Sequence, residues 1–202
     1  RLAIVSGRSI RQIERLFKYK GGLWRAFERR PFVIAGSHGL ETLWPNGRLI
    51  RAPRPKLLRL AVSMARDLEG KVPGVFVEKK PFGVALHYRL APDAEEICRV
   101  RAEQAARLSD LVIQPGKMVF ELKAPGADKG AAIAMIMKDR MMACRSPIFL
   151  GDDATDEPGF AAVSEMSGAG IFVGPWRNTN AKFHLPDVEA VLAWLNSAGD
   201  LI

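Results

Sequence analysis

Pro147-Ile-Phe-Leu-Gly-Asp-Asp-Ala-Thr-Asp-Glu157 is a short apolar run that stops at a glycine and then presents three Asp and one Glu, at 152, 153, 156 and 157. An apolar run of this length bounded by Pro and Gly predicts a buried strand, here one that delivers carboxylates to its C-terminal edge. In open α/β sheets, ligands sit outside the carboxyl ends of the strands. Carboxylates packed this closely repel one another, and a hard cation with a preference for oxygen is the usual way to neutralise them. Mg²⁺ is the natural candidate. An acidic loop at a helix start would suit the same residues, because the helix dipole favours negative charge there.

Outward from this stretch the pattern alternates between strand and helix. On the C-terminal side, Phe160 to Met166 predicts a helix, Ala169 to Val173 a strand, and Pro186 to Leu195 a closing helix with Val188, Val191, Leu192 and Leu195 on one face. On the N-terminal side, Ala131 to Met142 predicts a helix rich in small residues and Met. Lys129, at its start, is electrostatically misplaced with respect to the dipole and needs an anionic partner, such as the acidic strand edge or a bound phosphate. At the beginning of the chain, Leu2 to Ser6 reads as a strand, Gly7-Arg8 as a turn, and Ser9-Ile-Arg-Gln12 as a capping box that opens a helix. Ser6 at the strand's carboxyl end, next to a helix start, is a candidate phosphate holder. Its plainer role would be helix capping. Pro31 to Gly36 predicts a second buried strand, followed by a hairpin from Leu43 to Ile50 that turns at Asn46-Gly47. Strands alternating with helices imply parallel βα units.

Between these halves the pattern changes after Arg51-Ala-Pro-Arg-Pro55. Residues 56 to 122 read as helix, two strands, helix and two strands, the last two pairing around a turn at Pro115-Gly116, which makes a compact αβ sandwich inserted into the other domain. The expected division is 1–52 core, 53–123 insertion and 124–202 core. The fold class is α/β: a Rossmann-like parallel-sheet core with an inserted αβ sandwich.

The 202 residues are 48% hydrophobic, enough for a substantial core, and carry a net charge of +8. That charge suits an anionic substrate. The basic clusters Arg25 to Arg30 and Arg48 to Arg59 are not interleaved with aromatic platforms, so no nucleic-acid partner is expected. No apolar run is long enough to cross a bilayer, which points away from a membrane and towards a cytoplasmic location. Cys98 and Cys144 lack metal-type spacing and read as reduced thiols. The chain opens on Arg1 at a strand interior, so residues upstream are expected to be missing.

Four separated segments, Val5-Ser-Gly-Arg8, Gly36-Ser-His-Gly-Leu-Glu41, Asp128-Lys-Gly130 and Gly151-Asp-Asp-Ala-Thr-Asp-Glu157, occur in the order found in the haloacid-dehalogenase (HAD) phosphatase superfamily. With Glu78-Lys-Lys80 and Ala85-Leu-His-Tyr-Arg89 they resemble, within it, the trehalose-6-phosphate phosphatase family. The resemblance implies that Ser6 holds the substrate phosphate and that Lys129 bridges phosphate and nucleophile. Asp152 would bind Mg²⁺ directly, while Asp153 and Asp156 position the metal and its waters. The insertion would be the cap, with Glu78, Lys80 and Glu121 holding trehalose hydroxyls, and Arg8, His38 and Glu41 as further substrate-binding residues near the seam of core and cap. The family's first motif, Asp-x-Asp-Gly-Thr, carries the attacking aspartate and the acid/base aspartate. It has no counterpart in this chain, which is therefore expected not to turn over as it stands. The implied activity is Mg²⁺-dependent hydrolysis of trehalose 6-phosphate through an aspartyl-phosphate. The alternatives are a phosphatase for another sugar phosphate, such as sucrose 6-phosphate, and a non-catalytic sugar-phosphate-binding module. A monomer is compatible with this reading, as is fusion or pairing with trehalose-6-phosphate synthase.

Overall fold

The computed structural model describes residues 1–19 and 32–199. The basic cluster Arg25 to Arg30 and the first residue of the expected second strand, Pro31, lie outside them. Strand β1 (Leu2–Val5) leads into helix α1 (Ile10–Tyr19), and β2 (Phe32–Gly36), β3 (Glu41–Leu43) and β4 (Leu49–Arg51) complete a sheet in the order β1-β2-β3-β4. β1 and β2 run parallel, and β2, β3 and β4 antiparallel. The capping box forms reciprocally at α1: the Ser9 N–H donates to Gln12 Oε1 at 2.8 Å and the Gln12 N–H to Ser9 Oγ at 3.3 Å.

The inserted segment folds as α2 (Leu58–Glu69), β5 (Phe76–Lys79), β6 (Gly83–His87), α3 (Glu95–Arg107), β7 (Val112–Gly116) and β8 (Val119–Lys123), with an antiparallel sheet ordered β5-β6-β8-β7. Strand alternation divides its residues cleanly. Val84, Leu86 and Leu122 face α2 and α3, where Ala61, Ala65, Cys98 and Ala102 are small enough to let helices and sheet approach closely. The register aligns Glu78 with Ala85 and Ala85 with Glu121, so the two carboxylates share the opposite face across a small residue. The expected turn at Pro115-Gly116 is not formed. Both residues lie in β7, and the chain reverses through Lys117 and Met118, the latter with φ of 60°. β7 is an edge strand, where a proline's missing N–H leaves no ladder bond unmade.

The chain returns as α4 (Lys129–Met137), β9 (Ile148–Gly151), α5 (Glu157–Glu165), β10 (Ala169–Val173), β11 (Phe183–Leu185) and α6 (Val188–Gly199). β9, β10 and β11 form an all-parallel sheet in the order β11-β10-β9. β11 was not anticipated, because its three residues, Phe-His-Leu, are too few to show a period. Helix α4 is shorter than expected: it is capped by the Asp128 side chain, which accepts from the Ala131 N–H at 2.8 Å, and gives way to turns after Met137. The apolar stripe of α6 is not core, since Val188, Leu192 and Leu195 are 67%, 56% and 49% exposed.

The parallel strands fall into two sheets rather than one. Among the described residues, β1 pairs only with β2 and β9 only with β10. Between β1 and β9 lies a cavity of about 720 Å³, walled by residues 1–5 and 146–150 and floored by Ile133, Ile136, Met137 and Met142.

Candidate active site

The loops after β1, β2 and β9 and the start of α4 meet at one edge of the parallel strands. Ser6 is tied to β2, its N–H donating to Ala35 O at 2.9 Å and its carbonyl accepting from the His38 N–H at 3.0 Å. Its hydroxyl oxygen accepts from the Arg8 N–H at 3.1 Å, which leaves the hydroxyl proton free to donate outward. The Ser9 and Ile10 amides at the start of α1 are not open for an anion. Ser9 N–H is taken by Gln12, and Ile10 N–H donates to Glu41 Oε1 at 3.0 Å. Glu41 is buried and also accepts from Ser37 Oγ at 2.9 Å. Its carboxylate is therefore engaged in joining α1 to the loop after β2, whereas a substrate contact was expected of it. Arg8 is exposed, and its backbone shapes the loop: its carbonyl accepts from the Ser37 N–H at 2.8 Å.

The missing partner of Lys129 is Asp156. Lys129 Nζ lies 2.5 Å from Asp156 Oδ1, with side-chain exposures of 12% and 3%. The other oxygen, Oδ2, accepts from the Asp152 and Asp153 N–H groups at 3.1 and 3.0 Å. Close packing enforces this arrangement. A Cβ on Gly151 would lie 2.4 Å from the Asp156 carboxyl carbon, and one on Gly130 would lie 2.4 Å from Pro158 O, so both glycines permit α4 and the acidic loop to meet. Asp156 thus organises the loop, and Asp152 and Asp153 remain exposed at the end of β9. Among the described residues, no three His, Cys, Asp or Glu side chains converge closely enough to hold a metal. The donor chemistry still suits one: two exposed carboxylates, one of them also capping the turn that follows, beside a satisfied third are oxygen ligands for a hard dication, whose other positions water and a phosphate oxygen commonly fill.

Facing this edge is the carboxylate-bearing side of the antiparallel sheet. Lys80 Nζ pairs with Glu121 Oε2 at 2.5 Å, and Glu78 Oε2 lies 3.2 Å from His87 Nε2. Although burial opposes it, Lys80, Gln12 and His87 together hold the Glu78 carboxyl below its usual range. His38 crosses from the other side, its Nε2 3.9 Å from Glu121 Oε1. Burial, with the Lys123, Lys80 and Lys129 charges, lowers the imidazole to about 4 against the pull of Glu121. The ring is therefore neutral at pH 7, and the contact is polar rather than ionic. Gly7 makes room for it, since a Cβ there would lie 2.7 Å from His38 Nε2. Burial likewise pushes the Lys123 ammonium below its ordinary value, against Glu121 and Asp128, and its Nζ donates to Ala127 O at 2.6 Å.

The fold thus brings Ser6, His38, Lys129, Asp152, Asp153 and Asp156 to one edge and sets Glu78, Lys80 and Glu121 opposite. Sequence reasoning missed Gln12 and Lys123, which both line the seam. Lys123 carried a signal, since it is two residues after Glu121 on a strand and must share its face.

The family model described as trehalose-phosphatase matches residues 1–189. The chain is 34% identical over 203 residues to trehalose-6-phosphate phosphatase of Escherichia coli (strain K12), an alignment that covers 96% of this chain and 70% of that protein. It is 35% identical over 176 residues to a probable trehalose-phosphate phosphatase of Sinorhizobium fredii, covering 86% of this chain and 63% of that one. A crystal structure of a trehalose-6-phosphate phosphatase related protein superposes with a TM-score of 0.76 at 28% identity, over 98% of this chain and 82% of that one.

Proposed function

We propose that this chain, which belongs to the trehalose-phosphatase family, carries the phosphate-binding, metal-binding and sugar-binding parts of a phosphoric monoester hydrolase that converts trehalose 6-phosphate to trehalose and phosphate. The observation that carries the reading is the Lys129–Asp156 pair at 2.5 Å, at the same edge as the Ser6 hydroxyl and the exposed carboxylates of Asp152 and Asp153. A cation fixed in this way, with little reorganisation left to make, is suited to stabilising charge on a transferring phosphoryl group. Ser6 donates its hydroxyl proton to a phosphate oxygen. Asp156 holds Lys129 and the acidic loop in place. Asp152 and Asp153 hold Mg²⁺, which when bound supplies Lewis-acid neutralisation of the phosphate.

Residues 53–123 act as the cap. Glu78, Lys80 and Glu121 accept from and donate to sugar hydroxyls, and His38, neutral at pH 7, lines the seam beneath them. Glu41 and Arg8 serve the loops that hold Ser6.

The attacking carboxylate is proposed to come from a further strand bearing two aspartates. One aspartate attacks phosphorus, and the bond to the sugar oxygen breaks as the second protonates it. Water then hydrolyses the acyl phosphate. The cavity of about 720 Å³ between β1 and β9 supports this, because β1 runs parallel to β2 and β9 parallel to β10, both wall the cavity, and neither pairs with another described strand there. The protein works in the cytoplasm. No described helix is long and apolar enough to cross a membrane.

The test is phosphate release by the full-length gene product from trehalose 6-phosphate and from sucrose 6-phosphate, with and without Mg²⁺, beside Lys129→Ala and Asp152→Ala. The expected result is Mg²⁺-dependent release that favours trehalose 6-phosphate and falls by a factor on the order of 10² or more in either variant. Equal release from both sugars would move the reading to a general sugar phosphatase. A folded protein releasing none would leave only a binding module.

A further inference from the structure

From the seam between the two layers we infer that Gln12 is a positioning residue: the core's helix α1 uses its side-chain amide to fix Glu78 of the opposite sheet whenever the layers close. This rests on the reading of Glu78 as a sugar contact. Gln12 Oε1 accepts from the Ser9 N–H at 2.8 Å and from Ser9 Oγ at 3.1 Å. A backbone N–H can only donate, so the amide oxygen must face Ser9 and the amide NH₂ must face away. That NH₂ donates to Glu78 Oε1 at 2.8 Å, across 66 residues of sequence. Gln12 therefore has two separable jobs. Its oxygen caps α1 at Ser9, the residue that follows the Ser6 to Arg8 loop, and its nitrogen reaches the other layer.

The contact belongs to a closed state. The cleft lined at the seam by Gln12, His38, Lys80 and Glu121, among others, offers only about 10 Å³, room for roughly one water and far too little for a disaccharide phosphate. Substrate entry requires the layers to part, so the Gln12–Glu78 bond opens and re-forms with each turnover. With one Glu78 oxygen on Gln12 and the other on His87, the carboxylate returns to one orientation on closure. Binding at the phosphate end and the sugar end is thereby joined through one short helix turn.

The capping box accepts Glu as readily as Gln, and this separates the two jobs. In the full-length protein, Gln12→Glu keeps the cap but removes the donor and sets a second carboxylate against Glu78. Paired with Glu78→Gln, it restores the hydrogen bond with the roles exchanged. Hydrogen exchange of Phe76–Lys79, the thermal midpoint and the KM for trehalose 6-phosphate are measured for the parent, both single variants and the pair.

Gln12→Glu should speed exchange in that strand and raise KM, each by about tenfold, as the loss of one hydrogen bond to a charged group predicts, with the midpoint and kcat little changed. The pair should regain the exchange protection but not the KM, because Glu78 itself then lacks its charge for the sugar. Exchange and KM at parental values in Gln12→Glu would overturn the inference, as would a pair no better protected than the single variant. Exchange that responds while KM stays fixed in all four proteins would overturn the positioning role together with the sugar assignment of Glu78. A parent that releases no phosphate would sink the phosphatase reading alone, since the exchange arm still decides whether Gln12 holds Glu78.

Discussion

In the antiparallel layer, both inner strands, β6 and β8, are paired along both edges, and α2 and α3 cover one face with a continuous core running from Leu58 to Leu122. In the parallel layer, the two sheets present edges with no described strand partner across a cavity of mixed lining, and the buried residues divide into smaller groups, one around Ile10, Ile13, Ile34 and Leu43 and one around Val33, Ala35, Trp44 and Ile136. The difference teaches how each is held. The first layer closes through an unbroken run of strand pairs over one apolar core, including the β6–β8 pair that joins its two hairpins. The second is held at its chemically active edge by a few long-range polar contacts, chiefly Lys129 with Asp156 and Glu41 with the start of α1.

The sharpest way to break this contrast is Lys129→Met. It leaves Asp156 buried without its cation, and the parallel layer should lose roughly 3–5 kcal/mol. Hydrogen exchange should rise in β9 and α4 while β6 and β8 keep their protection. Equal loss of protection in both layers would show a single cooperative unit instead. Leu86→Ala makes the reciprocal test. Leu86 is 0% exposed in the antiparallel core, and a large-to-small change there should cost about 3 kcal/mol. Urea denaturation followed by exchange should place that loss in residues 58–123.

The smallest effect lies at the seam, where both layers meet on His38. Its folded pKa, about 4, is below the unfolded 6.5, so the unfolded chain takes up the proton first as pH falls. The stability from the neutral ring is thus fully present above pH 6.5 and is lost progressively towards pH 4, by about 2 kcal/mol at pH 5. His38→Asn should flatten that part of the stability–pH curve, since Asn tolerates the left-handed backbone that His38 adopts at φ of 57°. An unchanged slope would remove His38 as its source.

Much of the site was legible as a list of residues. Ser6 and the acidic stretch stand at the ends of strands that the apolar runs announce, Lys129 stands at the start of the helix expected there, and the capping box at Ser9 and Gln12 formed as its spacing predicts. What each residue does was less legible. Glu41 reads as a free carboxylate beside a strand end, yet it folds inward onto the Ile10 N–H and Ser37 Oγ. Asp156 looks like one more acidic ligand, but its oxygens are engaged by Lys129 and two amides. The donor role of Gln12 was hidden behind its cap, because the partner lies in the other layer.

By itself, the sequence determined the alternation of strands and helices, the inserted αβ segment, and the demand of Lys129 for an anion. These follow from local physics: side-chain period, capping chemistry and the sign of a helix dipole. Only the tertiary structure decided that the parallel strands divide around a cavity, which carboxylate answers Lys129, and that His38 is neutral. Those outcomes depend on which distant groups share a buried space, and desolvation and charge pairing are properties of that space rather than of any stretch of chain.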